Sequence, residues 1–349
     1  MTELQKRYGT REILENTQLS PKLTLRLEDM NLLPKGIIGF DCDKTIHDGP
    51  STLHRSCLDM EIFQHLKDLL TVPLMEDIKR GRYGNNGVEI LDKNQWKSLG
   101  SLEAIANTIS LKFLKQPLTP EEILEFDRHQ TENQCSQEIQ DQARMTRKTY
   151  ECLKKLMRQY KVYILTNNVE EIFDLFLINT RIIEEDGKIP PVPQIGLPAL
   201  KSIVRVTKNS AYYPTWEVDP DETAEEEITR GKRHEKPETH NMTMAIARTM
   251  RAYRDELEQA LKNNLDLQNI CTENNLLPTE LIRYLLIRAA HLDRLFVGDS
   301  LNSDKGVADK FNSYINSTAE IKTPKTNFQL ARYSDNDLPK ALYSWIKNH

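Results

Sequence analysis

Two carboxylates and a threonine directly follow a short apolar run near residue 40. Asp41 and Asp43 stand two positions apart after Ile37–Phe40, and Thr45 comes next. An apolar run of this kind is typical of a buried strand, whose side chains alternate between faces, so both carboxylates would lie on the same side. Two like charges this close are unfavourable unless a cation or a shared proton offsets them. The spacing therefore indicates a site for an oxygen-preferring metal ion.

Two further apolar runs also end in small side chains that carry oxygen atoms. Residues 161–165 lead into a threonine and two asparagines at 166–168. Residues 295–298 lead into Asp299, and Asp304 follows five positions later. Because open α/β sheets bind ligands at the carboxyl ends of their strands, these side chains are expected to converge on one site.

These three segments, in this order, resemble the motifs of the haloacid dehalogenase (HAD) superfamily of aspartate-nucleophile phosphohydrolases. The segment from Asp41 to Thr45 is similar to the first motif, and Thr166 is similar to the second. Asp299 with Asp304, behind a glycine, is similar to the fourth. The resemblance implies an α/β fold with a Rossmann-like parallel sheet at its core.

The resemblance also implies catalytic roles. Asp41 would be the nucleophile that forms an aspartyl-phosphate intermediate. Asp43 would protonate the leaving group and later take a proton from the attacking water. An acid at that position is found in the phosphatases and phosphomutases of the family, and is lacking in its dehalogenases and P-type ATPases. Thr166 would donate its hydroxyl to the phosphoryl group.

One Mg²⁺ is the cofactor that the resemblance implies. Its ligands would be Asp41, the backbone carbonyl of Asp43, and Asp299. Asp304 would either bind the ion directly or orient Asp299 or a metal-bound water.

The third motif of the family is a lysine or arginine, and several lysines of this chain could fill that place. Lys236 is the preferred choice because it opens a Lys-Pro pair before a helical run. Lys232 and Lys201 are the alternatives.

Three more residues are expected to bind substrate, namely Thr45, Asn167 and Lys44. Position 44 is often glycine in phosphatases of the family and is lysine here. Cys42 should point away from Asp41 and pack in the core.

The domain organisation follows from where the motifs lie. Residues 1–49 and 141–316 are expected to form the catalytic core, with an extra insertion around 184–290 before the last motif. Residues 50–140 are expected to form a mostly helical cap, inserted after the first motif strand. Residues 317–349 form a C-terminal segment with a short amphipathic helix.

Local patterns in the chain predict further elements. The sequence from Thr119 to Glu122 fits a helix start with a capping box. Residues 202–206 and 212–218 could pair as a hairpin. The acidic run at 219–227 is typical of a solvated, mobile loop.

The composition indicates a soluble globular protein of one or two domains. The chain has 349 residues, 38% hydrophobic and 28% charged, with a net charge of −5. This charge argues against nucleic acid as the main partner. No run is long enough to span a bilayer, no secretory signal is recognisable, and the five cysteines suggest no disulfide framework. A reducing, cytoplasmic compartment is therefore expected.

The C-terminal helix, which contains Trp345, has two interpretations. Docking on the core is preferred, and a peripheral membrane contact is the alternative.

The function that these observations favour is a Mg²⁺-dependent phosphomonoester hydrolase. A helical lid would restrict access, so the expected substrate is a small phosphorylated metabolite. A phosphoprotein phosphatase, acting on phosphotyrosine in a phosphopeptide, is the first alternative. A catalytically silent binding protein of the same fold is the second.

Overall fold

The computed structural model describes residues 26–27, 30, 32–47, 52–73, 101–184, 186–190, 194–208, 221–232, 236, 238–301, 303–318, 324–331 and 338–348. The strands in this part of the chain are β1 (Ile37–Phe40), β2 (Arg144–Thr146), β3 (Lys161–Leu165), β4 (Arg181–Ile183), β5 (Val204–Val206), β6 (Arg294–Gly298) and β7 (Thr326–Leu330). The α-helices are α1 (Leu53–Asp59), α2 (Ser101–Phe113), α3 (Pro120–Cys135), α4 (Gln137–Gln140), α5 (Arg147–Met157), α6 (Glu170–Asn179), α7 (Ala224–Lys232), α8 (Thr239–Asn263), α9 (Leu265–Glu273), α10 (Pro278–Ala290), α11 (Asp304–Thr318) and α12 (Leu338–Asn348). Two 3₁₀ helices span Glu61–Leu66 and Pro198–Leu200.

Five strands form one parallel sheet in the order β5-β3-β1-β6-β7. Along the chain the strands advance from β1 through β3 to β5 on one side, and the chain then crosses to β6 and β7 on the other. β2 and β4 form a separate two-stranded ladder. The prediction of an α/β fold with a Rossmann-like parallel sheet and helical insertions is confirmed.

Helices cover both faces of the sheet, which makes a three-layer core. One face packs on α5, α6 and α12, around Phe40 and Ile164. The other face packs on α8 and α11, around Leu165 and Phe296. Because both faces are covered, all four residues of β1 are buried, as expected for a central parallel strand.

Gly39 allows the two aromatic rings beside the central strand to cover it. It lies in register with Tyr163 on β3 and with Phe296 on β6. Those rings stack with their centroids 6.3 Å apart. A Cβ at position 39 would lie 2.2 Å from Cζ of Tyr163, so the packing requires glycine.

The C-terminal helix α12 packs on the core, as the preferred interpretation expected. Leu338, Leu342 and Trp345 are buried against the sheet layer. The ring of Trp345 lies 5.8 Å from the ring of Tyr160. None of the described helices combines the length and the apolar character that a bilayer crossing requires.

The helices that follow β1 have a hydrophobic core of their own. Leu53, Phe63, Ile109 and Phe126 belong to this cluster, which joins α1, the first 3₁₀ helix, α2 and α3. Residues 74–100 lie outside the described part. We call the described helices between 52 and 135 the helical cap.

The helix start predicted at Thr119 is confirmed. The Thr119 N–H donates to Glu122 Oε2 over 2.7 Å, and the Glu122 N–H donates to Thr119 Oγ1 over 3.3 Å.

The hairpin predicted for 202–206 and 212–218 stays a prediction, although part of its first segment forms a strand. Val204–Val206 pairs in parallel with β3 and forms an edge of the core sheet. Residues 212–218 lie outside the described residues.

The acidic run 219–227 is not simply a loop, because its second half begins α7. The Glu226 N–H donates to Thr223 Oγ1, and the Thr223 N–H donates to Glu226 Oε2. Acidic side chains in a first turn also interact favourably with the helix dipole. The same charges that suggested a solvated loop therefore stabilise a helix start.

Candidate active site

The strand order places a crevice at the carboxyl ends of β1 and β6. The two strands run parallel, but successive strands are added in opposite directions on either side of them, and ligands of open α/β proteins bind at such a switch point. Asp41 follows β1 directly, and its N–H donates to the Val297 carbonyl over 2.8 Å. The backbone of Asp41 therefore continues the ladder, and the residue as a whole is only 5% exposed.

A tight turn after Asp41 fixes the carboxylate from the other side. The Ile46 N–H donates to the Cys42 carbonyl over 3.1 Å, and Thr45 Oγ1 donates to Asp41 Oδ2 over 3.2 Å. Thr45 was predicted to bind substrate. It is fully buried, and its side chain bonds to Asp41.

Lys44 adopts a backbone conformation that favours glycine. Its φ is +59°, in the left-handed region, where a residue with a Cβ is about 1–2 kcal/mol less stable. Glycine would adopt this conformation without that cost. The Lys44 side chain is half-buried.

Lys236 lies between two buried carboxylates. Its ammonium contacts Asp41 Oδ1 and lies 2.5 Å from Asp304 Oδ1. The Lys236 backbone N–H donates to Asn167 Oδ1 over 2.9 Å, so this predicted substrate-binding amide holds the lysine in place. The alternative Lys201 is exposed after the second 3₁₀ helix. The Lys232 side chain lies outside the described part of the chain.

Burial dominates the electrostatics of these charged groups. Burial raises the pKa of Asp41 well above its usual range; Lys236 lowers it, and Asp304 and Asp43 raise it further. Burial alone would lower the pKa of Lys236, but attraction to Asp304 and Asp41 outweighs this, and the net shift is upward. The lysine therefore stays charged and compensates the acidic pair.

Three carboxylates form a set that fits a Mg²⁺ ion. Asp41, Asp299 and Asp304 each offer an oxygen, and these atoms all lie within 4.8 Å of one another. Oxygen ligands about 2.1 Å from one Mg²⁺ can lie up to about 4.2 Å apart, so small side-chain adjustments suffice. Asp299 is half-buried, and its pKa is raised by burial and then by Asp304. A bound cation would relieve that cost.

Gly298 makes room for the Asp304 side chain. A Cβ at position 298 would lie 2.4 Å from Asp304 Oδ2. The Ser300 N–H donates to that same oxygen over 3.0 Å. Asp304 is 1% exposed, so its carboxylate has little freedom to move away.

We expect Gly298→Ala to weaken Mg²⁺ binding by roughly tenfold or more, because a ligand displaced by about 1 Å loses its geometry. Calorimetric titration with Mg²⁺ measures the effect. Asp309→Asn is the control, since it changes an exposed side chain of α11 that is no part of the carboxylate set. Equal Mg²⁺ affinity in both variants would mean that Asp304 does not depend on Gly298.

Asp43 has two neighbours that the motifs did not assign. Asn168 Nδ2 donates to Asp43 Oδ2 over 2.5 Å. His47 Nε2 lies 3.7 Å from Asp43 Oδ1. Asn168 belongs to the Thr-Asn-Asn segment that ends the second apolar run, so its position could have been suspected. No sequence signal marked His47.

Thr166 joins the site through Asn168. Its Oγ1 accepts a hydrogen bond from the Asn168 N–H over 3.1 Å, and its own N–H donates to the Val206 carbonyl over 3.0 Å.

Cys42 is buried in the core, as predicted. Burial, followed by Asp43 and Asp41, raises the pKa of the Cys42 thiol well above its usual range.

The predicted site residues thus meet at one edge of the sheet. Asp41, Asp304 and Lys236 are in direct contact, and Thr45 and Asn167 bond to members of that group. Asp43 and Thr166 are joined through Asn168.

A separate cavity of about 610 Å³ lies near the amino ends of β1 and β3, lined in part by Lys35 and Lys161. It is remote from this chemistry.

The fold and the site combine an aspartate after the central parallel strand, a threonine after one neighbouring strand and an acid pair after the other. No family model matches the chain, and no curated protein matches it.

Two solved structures are similar to this chain at a low level. The HAD-hydrolase YfnB from Bacillus subtilis, bound to magnesium, is 13% identical with a TM-score of 0.34, over 88% of this chain and 99% of that one. A protein described as a predicted phosphoglycolate phosphatase from Haemophilus somnus 129PT is 18% identical with a TM-score of 0.35, over 88% of this chain and 97% of that one. Both TM-scores lie under 0.5, so the fold class rests on the strand order described above.

Proposed function

We propose that this protein is a Mg²⁺-dependent phosphomonoester hydrolase of the HAD superfamily that works through an aspartyl-phosphate. The observation that carries the proposal is the contact of Asp41 with Lys236, beside Asp304, while a second acid, Asp43, is held separately by Asn168. One carboxylate is thereby available for attack and another for proton transfer.

In the first step an Asp41 carboxylate oxygen attacks the phosphorus atom of the substrate. An O–P bond forms to Asp41, and the bond from phosphorus to the leaving oxygen breaks. The electron pair stays on the leaving oxygen, which takes a proton from the Asp43 carboxyl group. Lys236 offsets the negative charge of the phosphoryl oxygens, and the Thr166 hydroxyl donates a hydrogen bond to one of them.

In the second step water attacks the same phosphorus atom. The water proton passes to the Asp43 carboxylate, and the bond between Asp41 and phosphorus breaks. Asp41 returns to its starting form and inorganic phosphate leaves. Thr45, which bonds to Asp41, orients the nucleophile in both steps.

Asp41, Asp299, Asp304 and the Asp43 carbonyl would hold the Mg²⁺ ion, which neutralises phosphate charge when bound. We expect Mg²⁺ at 100 times its Kd to stabilise the folded protein by about 2.7 kcal/mol. Thermal unfolding with Mg²⁺ and with a chelator measures this. Asp299→Asn should lose most of the stabilisation, while Asp309→Asn, on the outer surface of α11, should keep it. Equal stabilisation of the two variants would contradict the ligand assignment.

The substrate we propose is a small phosphorylated metabolite. The helical cap supports this, because α3 packs on α6 and α7 of the core. Lys208, just after β5, also bonds to Asp127 of α3 over 3.1 Å. A cap held against the carboxyl edge of the sheet would limit the size of the substrate.

Hydrolysis of a phosphate panel, with and without Mg²⁺, tests the proposal. The panel should contain an aryl phosphate, sugar phosphates, nucleotide monophosphates and phosphotyrosine peptides. Mg²⁺-dependent release from small esters supports the proposal. Activity on phosphopeptides alone would make this protein a phosphoprotein phosphatase. If no ester is hydrolysed and Mg²⁺ nevertheless binds, the chain is a binding protein of this fold.

A further inference from the structure

The Asp43 carboxyl group has a neighbour on each of two sides, and both neighbours lie outside the HAD motif positions. Asn168 bonds to its Oδ2 atom, and His47 faces its Oδ1 atom. The inference drawn from this arrangement rests on the function proposed above, since it concerns the proton that Asp43 gives to the leaving group.

Asn168 can fix Asp43 because its own backbone is fixed at two points. Its N–H donates to Thr166 Oγ1 over 3.1 Å. Its carbonyl accepts from the Lys208 N–H over 2.9 Å. Its amide Nδ2 then reaches Asp43 Oδ2. The two neighbouring strands, β1 and β3, are thereby joined at the level of the proposed acid.

His47 lies beside Asp43 because the turn that starts at Asp41 brings the chain back. The Lys44 N–H donates to the His47 carbonyl over 3.0 Å, and residues 43 and 47 form an isolated β-bridge. The positive φ of Lys44 makes this return possible. The left-handed residue therefore serves to place His47.

The imidazole of His47 has a fixed orientation. Its ring centroid lies 4.2 Å from that of Phe176 on α6, and the side chain is almost fully buried. At 3.7 Å its Nε2 atom is beyond hydrogen-bond distance from Asp43 Oδ1. The ring therefore provides a polar neighbour that favours one orientation of the carboxyl group without a direct hydrogen bond.

We propose that Asn168 and His47 are positioning residues that hold Asp43 in the orientation for proton transfer to the leaving oxygen. The amide holds Oδ2, which leaves Oδ1 as the oxygen that carries and releases the proton. The pair thereby determines how well the enzyme cleaves esters whose alcohol is a poor leaving group.

Leaving groups differ in their need for this proton. An alkoxide is too basic to depart without protonation, so an alkyl phosphate depends on Asp43. A dinitrophenolate is stable as an anion and departs without a proton. Misplacing Asp43 should therefore slow hydrolysis of the alkyl phosphate far more than hydrolysis of dinitrophenyl phosphate. A general structural defect should slow both reactions alike.

The test compares kcat/KM for an alkyl phosphate and for dinitrophenyl phosphate in a set of variants. The ratio kcat/KM reports phosphoryl transfer to Asp41 and excludes the later hydrolysis step, in which Asp43 also acts. Asn168→Leu and His47→Leu keep side-chain size and remove the polar atoms. His47→Gln restores a polar atom near the place of Nε2. Asp43→Asn is the reference for complete loss of the proton donor.

We expect the kcat/KM of Asn168→Leu and of His47→Leu to fall roughly 10- to 100-fold on the alkyl ester and much less on the dinitrophenyl ester. His47→Gln should lose less than His47→Leu. Asp43→Asn should also lose kcat/KM mainly on the alkyl ester, and by a larger factor than the other variants. The dinitrophenyl ester also reports whether each variant is folded, and a variant inactive on it is replaced by Asn168→Ala or His47→Ala.

An equal loss on both esters, or no loss on either, would overturn this inference and leave the proposed function standing. Wild-type protein that hydrolyses no phosphate ester at all would overturn the proposed function and this inference together.

Discussion

Asp41→Asn is expected to abolish phosphate release, with a loss of roughly 10³-fold or more in kcat, because the amide cannot attack phosphorus. The fold should survive, since Lys236 and Asp304 then remain as a paired, neutral couple. Steady-state hydrolysis of an aryl phosphate measures the rate. Acid-quenched wild-type enzyme should contain a covalent phosphoryl group that hydroxylamine removes, and the variant should contain none.

The control for this variant is Asp309→Asn, which removes an exposed carboxylate from the same set of core elements. It should keep wild-type activity. If Asp41→Asn retained substantial turnover or still carried a covalent phosphoryl group, Asp41 would not be the nucleophile.

Lys236→Met is expected to produce the largest loss of stability. Removing the ammonium leaves Asp41 and Asp304 buried and facing each other without compensation. Breaking a buried ion pair in this way costs about 3–5 kcal/mol. Urea unfolding in the presence of a chelator measures the loss. Added Mg²⁺ should restore part of it, because the cation replaces the missing positive charge between the carboxylates.

The matched control is Lys201→Met, which removes an exposed lysine that the motif spacing also allowed. Its free energy of unfolding should stay within about 0.5 kcal/mol of that of the wild type. An equal, small effect of both lysine variants would show that Lys236 does not compensate the acidic pair. A large loss that Mg²⁺ does not alter would argue against metal binding at this site.

The acidic and basic residues of the site could be predicted from the sequence because each follows a recognisable local pattern. A strand signal ending in Asp41 or Asp299 places the side chain at the carboxyl edge of a parallel sheet, whatever the strand order. Lys236 was distinguished from Lys201 only by the residues that follow it. In the structure Lys236 lies between two carboxylates, and Lys201 lies at the surface.

The partners of Asp43 could not be predicted in the same way. His47 reaches Asp43 through a left-handed residue, Lys44, and lysine gives no sequence signal for that conformation. Asn168 was visible as part of a polar strand end, but its direction also depends on a contact to Lys208, which comes from a distant segment of the chain.

Long-range pairing limited the fold prediction as well. Val204–Val206 is too short to be recognised as a core strand, and it becomes one only because Tyr163–Leu165 lies beside it. Helix α8 lies in the region predicted as an insertion, yet it packs directly on a face of the sheet. The boundaries of the insertion and of the helical cap stay predictions.

Lys208 connects the helical cap to the candidate site, and in the function proposed above these two parts separate when substrate enters. Its ammonium bonds to Asp127 of the cap, while its backbone N–H bonds to Asn168 of the site. A partly exposed ion pair of this kind contributes at most about 1 kcal/mol and weakens as salt rises. Such a link can favour a closed entrance without trapping the product inside. It also makes the ionic strength of the surroundings a physical control on how often the entrance opens.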